Sequence, residues 1–187
     1  MNQFGMAGLM IILAIIADSI DGRLARMSKS TSSFGGQLDS LCDIISFGVA
    51  PAFMMLKAME FELGIKSVFL IEGDFFQRFI WLASVSYMCC AVIRLARFNV
   101  ENEEDESAHM SFIGLPTPAA AGVVISLLLF HHKYSNDFPA SQVLLYAMPG
   151  IVLGTAILMV SRIRYPHILN QYFGGRNPFG YLVKVLL

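Results

Sequence analysis

The chain has 187 residues, of which 56% are hydrophobic and 14% charged, and its formal net charge is −1. A soluble domain usually carries about 25% charged residues, so this composition excludes an ordinary soluble domain. It also shows no basic patch of the kind that nucleic-acid binding requires. The three cysteines lie in apolar runs, without the spacing of a zinc site or a disulfide framework. We predict one all-α membrane domain over 1–187.

The apolar residues cluster in five runs of roughly the 20 residues that a helix needs to cross a bilayer. The first run has no basic leader and no small-residue cleavage site, so we interpret it as a retained span. The predicted spans are 4–26, 35–59, 79–98, 116–131 and 141–161. Residues 174–187 resemble the opening of another helix. We therefore expect a polytopic bundle of about five to six spans.

Basic residues at the ends of the spans predict the orientation, because cytoplasmic loops carry an excess of Lys and Arg. If the spans alternate, the first turn and the ends of the third and fifth spans lie on one side. The basic residues of that side are Arg23, Arg26, Lys29, Arg94, Arg97, Arg162 and Arg164. The opposite side has fewer basic residues, diluted by acids, so we predict that the first side is cytoplasmic.

Four aspartates on the first two spans are the strongest functional signal. The stretch reads Asp18-x2-Asp21-Gly22-x2-Ala25-Arg26-x8-Gly35-x3-Asp39-x3-Asp43. Residues three or four apart share a helix face, and the short polar turn 27–34 predicts antiparallel neighbours, so the two spans can present their carboxylates to each other. Isolated carboxylates are costly in hydrocarbon. Four of them, with Arg26 as the one matched cation, indicate a divalent-metal site.

Carboxylate oxygens of this kind suit Mg²⁺, Mn²⁺ or Ca²⁺, and two ions would balance four negative charges and bind a diphosphate. Gly22 and Gly35 lie beside the acids, where a missing side chain lets a ligand approach the backbone. Ala25 is small on the same face, and Arg26 can reach a phosphate. A single aspartate or glycine in a span is usually a packing feature, but the whole set at these offsets is hard to explain that way.

This pattern, D-x2-D-G-x2-A-R-x8-G-x3-D-x3-D, resembles the signature of the CDP-alcohol phosphotransferase family, and every fixed position is present. Three further segments, at 46–52, 94–99 and 114–121, are similar to the membrane-integral phosphatidylserine synthase branch. The resemblance covers about 11–164. Family members usually carry a helix before the acidic one and further helices near the carboxyl end, so we expect a catalytic domain that lacks these flanking helices.

The resemblance implies transfer of a phosphatidyl group from CDP-diacylglycerol to L-serine with release of CMP, by a homodimer surrounded by membrane lipids. It also implies a divalent-metal cofactor, two Mg²⁺ or Mn²⁺ ions, and Asp43 as general base. The implied metal ligands are Asp18, Asp21, Asp39 and Asp43. The implied nucleotide-binding positions are Asp18, Gly22, Ala25, Arg26 and Gly35.

Serine needs a partner for its carboxylate, and Arg94 and Arg97 are the candidates because arginine binds carboxylates bidentately. The alternative is that both arginines are headgroup anchors. Ser46 either hydrogen-bonds the substrate or bonds back to its own helix. Trp81 and Tyr87 are interpreted as ordinary span residues.

Two alternatives remain at this point. The same chemistry with glycerol 3-phosphate or an inositol phosphate as acceptor would need extra basic residues near the cavity. A divalent-cation or proton transporter would need acids distributed along several spans. The predicted third to fifth spans have no Asp or Glu in their interiors, which favours a reaction at one membrane face.

Overall fold

The computed structural model describes residues 3–28, 33–64, 74–104, 114–134 and 139–162. Every regular element in these ranges is a helix, which confirms the all-α prediction. The elements are α1 (Gln3–Ser28), α2 (Ser33–Asp43), a π-helix (Ile44–Val49), α3 (Ala50–Leu63), α4 (Phe75–Glu104), α5 (Thr117–Tyr134) and α6 (Pro139–Val160). The predicted helix opening at 174–187 lies outside the described residues.

Four helical segments in the described part are long and apolar enough to cross a membrane. These segments are Gln3–Gly22, Phe34–Leu63, Phe75–Val100 and Ser141–Val160. The predicted span 116–131 forms helix α5 but is not among the four. Its last turn carries His131, His132 and Lys133, which lower its apolar character. The structure therefore shows four candidate spans where the sequence predicted five, with α5 packed against α1 and α6.

The second span is one continuous rod made of α2, the π-helix and α3. The chain keeps right-handed helical dihedrals at both junctions, with φ −62° at Asp43 and at Ala50. The rod ends at Gly64, whose φ of 62° is the left-handed conformation that glycine supplies at helix ends. Asp43 is thus the last α-helical residue before a stretch of π-helix, a rare form that often occurs at functional sites.

Helix α1 runs antiparallel to this rod, as predicted. The rings of Phe4 and Phe61 are 5.9 Å apart near one end, while Asp18 and Asp39 lie together towards the other end. The most extensive packing in the described part joins α4 to α6. Both helices carry fully buried alanines, among them Ala83 in α4 and Ala156 in α6, and small residues of this kind allow membrane helices to approach closely.

The segment before α5 is docked on the carboxyl end of α6. Gly114 has φ +83°, and a Cβ there would lie 2.5 Å from the carbonyl oxygen of Met159. The amide of Leu115 donates to the carbonyl oxygen of Leu158 at 3.1 Å. Position 114 therefore requires glycine, both for the left-handed backbone conformation and for the close approach to α6. Pro116 and Pro118 lie at the entry into α5.

Candidate functional site

Three of the four motif aspartates form one cluster between α1 and α2. Asp18 and Asp21 come from the last turns of α1 and Asp39 from the middle of α2, and one carboxylate oxygen of each lies within 4.8 Å of the others. Asp18 is half-buried, whereas Asp21 and Asp39 are exposed. The cluster exists because the second span runs antiparallel to α1, which brings residues about 20 positions apart in the sequence next to each other.

The geometry of this cluster fits a divalent cation. Oxygen ligands bind Mg²⁺ at 2.0–2.1 Å and Ca²⁺ at 2.3–2.6 Å, so two oxygens on opposite sides of one ion are about 4–5 Å apart. The three carboxylates already lie at that spacing. Small side-chain adjustments would bring all three onto one ion, and hard anionic oxygens are the donors that such ions prefer.

Asp43 lies one helical turn beyond Asp39, further into the span, and is half-buried. Its carboxylate is close enough to interact electrostatically with Asp18, Asp21 and Asp39. The three-residue cluster does not include it. The structure therefore places Asp43 beside the cluster, at the junction with the π-helix.

The π-helix that follows Asp43 is held against α4 by a buried hydrogen bond. The hydroxyl of Tyr87 donates to the carbonyl oxygen of Phe47 at 3.1 Å, and both side chains are at most 1% exposed. A Cβ added to Gly48 would lie 3.2 Å from the Cβ of Ala91, so the two backbones approach closely here. Tyr87 lies within a candidate span, as predicted, and its hydrogen-bond partner is a backbone atom 40 positions away that no local pattern reveals.

A second polar contact joins α4 to α2. The amide nitrogen of Asn99 donates to the hydroxyl oxygen of Ser40 at 3.0 Å. The Ser40 hydroxyl lies 3.0 Å from the carbonyl oxygen of Gly36, which accepts its proton. Ser40 lies between Asp39 and Asp43, so this contact holds the aspartate-bearing helix from the side. The sequence analysis missed Ser40 as a functional position.

Of the two glycines predicted to contact the nucleotide, Gly22 directly follows Asp21 of the cluster. A Cβ at Gly22 would meet no atom within 4 Å among the described residues. Gly35 is exposed on the first turn of α2. The backbone of Ala25 and Arg26 is helical within α1, and their side chains lie outside the described part. Among the described residues, no atom therefore occupies the space next to a Gly22 side chain.

The predicted serine-binding residues lie on α4 and in the π-helix. Arg94 is only 5% exposed, and its guanidinium carbon lies 5.6 Å from the ring centroid of Phe98. Arg97 and Ser46 are half-buried. A headgroup anchor would be exposed, so the burial of Arg94 favours a role inside the protein. Both arginines lie on α4 shortly before Asn99, the residue that contacts Ser40.

The chain is similar in sequence to proteins of one known family. The sequence profile of the CDP-alcohol phosphatidyltransferase family matches residues 1–161. A CDP-diacylglycerol–serine O-phosphatidyltransferase of Helicobacter pylori is 37% identical over 165 residues, covering 88% of this chain and 62% of the relative. One from Methanocaldococcus jannaschii is 32% identical, covering 92% of this chain and 68% of the relative.

An archaetidylserine synthase of Methanothermobacter thermautotrophicus is 31% identical, over 89% of this chain and 60% of the relative. The chain thus spans about three fifths of the length of several relatives that it matches. No solved structure matches it. Because the family profile covers residues 1–161, which contain all four aspartates and the helices that present them, the chain belongs to the CDP-alcohol phosphatidyltransferase family.

Proposed function

We propose that this chain transfers the phosphatidyl group of CDP-diacylglycerol to L-serine, forming phosphatidylserine and CMP. The observation that carries the proposal is the cluster of Asp18, Asp21 and Asp39 on two antiparallel helices. The names of the matched relatives, which include serine O-phosphatidyltransferases, support the donor and the acceptor.

The three clustered carboxylates would hold the divalent cation, Mg²⁺ or Mn²⁺, and a second ion would share Asp43. When bound, the cation supplies charge neutralisation to the diphosphate of the CDP-lipid. The open space beside Asp21, at Gly22, would admit the nucleotide. Arg26, at the end of α1, would contact a phosphate.

The acceptor hydroxyl must lose its proton as it attacks, because a neutral alcohol is a weak nucleophile. The serine oxygen forms a bond to the phosphorus that carries diacylglycerol, and the bond from that phosphorus to the oxygen of CMP breaks. Asp43 takes the hydroxyl proton as general base. Its half-buried position beside the cluster supports this assignment.

Recognition of serine would fall to the carboxyl-terminal part of α4. The guanidinium groups of Arg94 and Arg97 would pair with the serine carboxylate, and Ser46 would hydrogen-bond the substrate. The buried position of Arg94 supports the assignment because a desolvated guanidinium discriminates strongly for a carboxylate partner. An acceptor that carries a phosphate would need further basic residues at this place.

We also propose that the site faces the cytoplasm and that the chain forms a homodimer. The excess of basic residues at the aspartate-bearing ends of the spans supports the orientation. For the dimer, Gly150 and Gly154 of α6 form a Gly-x3-Gly pair. A Cβ at either position would meet no atom within 4 Å among the described residues, so this pair is free to pack against a second copy.

The experiment is CMP release by the purified protein in detergent, with CDP-diacylglycerol, Mg²⁺ or Mn²⁺, and a panel of alcohols. We expect release that requires both the metal and L-serine and that is lost in Asp39→Asn. Glu62→Gln is the matched control, since Glu62 is exposed on α3, remote along the rod from the cluster. Release with glycerol 3-phosphate or an inositol phosphate instead would overturn serine as the acceptor. Metal-independent release would overturn the role of the cluster.

A further inference from the structure

We infer that Tyr87 and Asn99 of α4 are positioning residues that hold the Asp43 segment at two points. The Tyr87 hydroxyl donates a hydrogen bond to the carbonyl oxygen of Phe47, which is four residues after Asp43. The side-chain amide of Asn99 donates a hydrogen bond to Ser40, which is three residues before Asp43. The inference rests on the proposed function, because it concerns the residue proposed as the general base.

The Tyr87 contact is a built feature of the core. The side chain is 0% exposed, and a buried hydroxyl needs a hydrogen-bond partner. A carbonyl oxygen has two lone pairs, so the Phe47 carbonyl can accept from Tyr87 in addition to any bond within its own helix. The π-helix begins directly after Asp43, so this bond restrains the backbone on which the Asp43 carboxylate depends.

The Asn99 contact restrains the other side of Asp43. Its amide donates to the Ser40 hydroxyl, and that hydroxyl donates to the Gly36 carbonyl. These two hydrogen bonds together link α4 to the backbone of α2 at Gly36, one helical turn before Asp39. Ala91, which lies between Tyr87 and Asn99 on α4, is also close to the π-helix, since a Cβ added to Gly48 would lie 3.2 Å from the Ala91 Cβ.

The position of α4 gives these contacts a consequence for catalysis. Arg94 and Arg97, proposed to hold the serine carboxylate, lie on α4 between Tyr87 and Asn99. The two contacts therefore fix the distance between the proposed base and the proposed acceptor site. Reactive groups must be held to within fractions of an ångström, and a displacement of about 1 Å can cost 100-fold in rate.

The test compares Tyr87→Phe with Ser84→Ala in the full chain. Tyr87→Phe removes one buried hydroxyl and keeps the ring. Ser84→Ala also removes a fully buried hydroxyl from α4, but among the described residues that hydroxyl donates to the carbonyl oxygen of Ile80 in the same helix. We expect Tyr87→Phe to lower kcat about tenfold or more, with the Kd for CDP-diacylglycerol within about twofold of the parent. Ser84→Ala should retain the parent kcat.

Hydrogen exchange supplies a readout that does not depend on turnover. We expect faster amide exchange across 43–49 in Tyr87→Phe and no change there in Ser84→Ala. Equal exchange in the two variants, or a kcat of Tyr87→Phe within twofold of the parent, would overturn the role of Tyr87.

The Asn99 contact is tested by a double-mutant cycle of Ser40→Ala and Asn99→Ala. Because the two side chains share one bond, the double variant should lose no more kcat than the worse single variant. Multiplicative losses would overturn the role of that contact. If the parent chain releases no CMP with any acceptor, the proposed function fails. Amide exchange across 36–49, compared between the parent, Tyr87→Phe and Asn99→Ala, then decides whether the two contacts hold the Asp43 segment.

Discussion

The substitution Gly22→Ala tests whether Gly22 is needed for contact with a ligand or for packing within the protein. Gly22 lies in α1 next to Asp21, and a Cβ there would meet no atom within 4 Å in the part of the chain that the structure describes. Gly22→Ala therefore creates no clash with any described residue. If the nucleotide part of the CDP-lipid occupies this space, as the family resemblance implies, the methyl group collides with the substrate alone.

We expect Gly22→Ala to keep or raise the stability of the protein and to weaken its binding of the substrate. Alanine is favoured over glycine in a helix interior by about 0.8–1.0 kcal/mol, so Gly22→Ala should unfold at the same temperature as the parent or slightly higher. Forcing a methyl group into an occupied contact usually costs about 1–3 kcal/mol. That cost corresponds to a roughly 5- to 150-fold rise in the Kd for CDP-diacylglycerol.

The assay is Kd for CDP-diacylglycerol together with Tm in the same detergent. Gly36→Ala is the matched control, because Gly36 is exposed on α2, outside the family motif, and its Cβ would also meet nothing within 4 Å. We expect the control to bind as the parent does. A parent-like Kd for Gly22→Ala would refute the contact, and equal losses in both variants would show that the motif position has no special role.

Three further predictions follow from the same geometry. Asp43→Asn should abolish turnover while CDP-diacylglycerol binding remains measurable by Kd, since the three-aspartate cluster is intact; loss of binding would make Asp43 chiefly a metal ligand. Arg94→Lys and Arg97→Lys should raise KM for serine more than KM for CDP-diacylglycerol, because lysine cannot pair bidentately; equal rises would indicate structural arginines. Gly114→Ala should lower Tm by more than a left-handed alanine does alone, which costs about 1–2 kcal/mol, because its Cβ would lie 2.5 Å from the Met159 carbonyl oxygen. Gly64→Ala, with φ +62° and open space, is its control, and an equal fall in Tm would contradict the steric argument.

The helices and the aspartate cluster could be predicted from the sequence for physical reasons. Apolar runs of membrane length must form helices, because hydrocarbon offers no partner for unpaired backbone groups. Asp18 and Asp21, three apart, share a helix face with the periodicity of 3.6 residues, and the short turn before α2 limits how far Asp39 can lie from them. The cluster of these three residues confirms that reasoning.

The helix α5 shows where an apolar run alone was insufficient evidence for a span. The sequence predicted a span at 116–131, but the whole helix includes His131, His132 and Lys133 in its last turn, and it is not among the described helices that are long and apolar enough to cross a membrane. The buried side of α5 packs within the protein, and the ring nitrogen Nδ1 of His131 donates to the Ser141 carbonyl oxygen at 2.8 Å. His131, at the end of α5, is therefore part of the interior.

By itself, the sequence determined the all-helical fold and the meeting of Asp18, Asp21 and Asp39, because each follows from spacing along one or two neighbouring helices. Only the tertiary structure decided that Asp43 lies at a π-helical junction and that Tyr87 and Asn99 of α4 contact the segment around it. These contacts join residues 40 and 59 positions apart. Their partners, a backbone carbonyl and a serine hydroxyl, carry no sequence signal of their own. Only the position of α4 beside α2 and the π-helix reveals them.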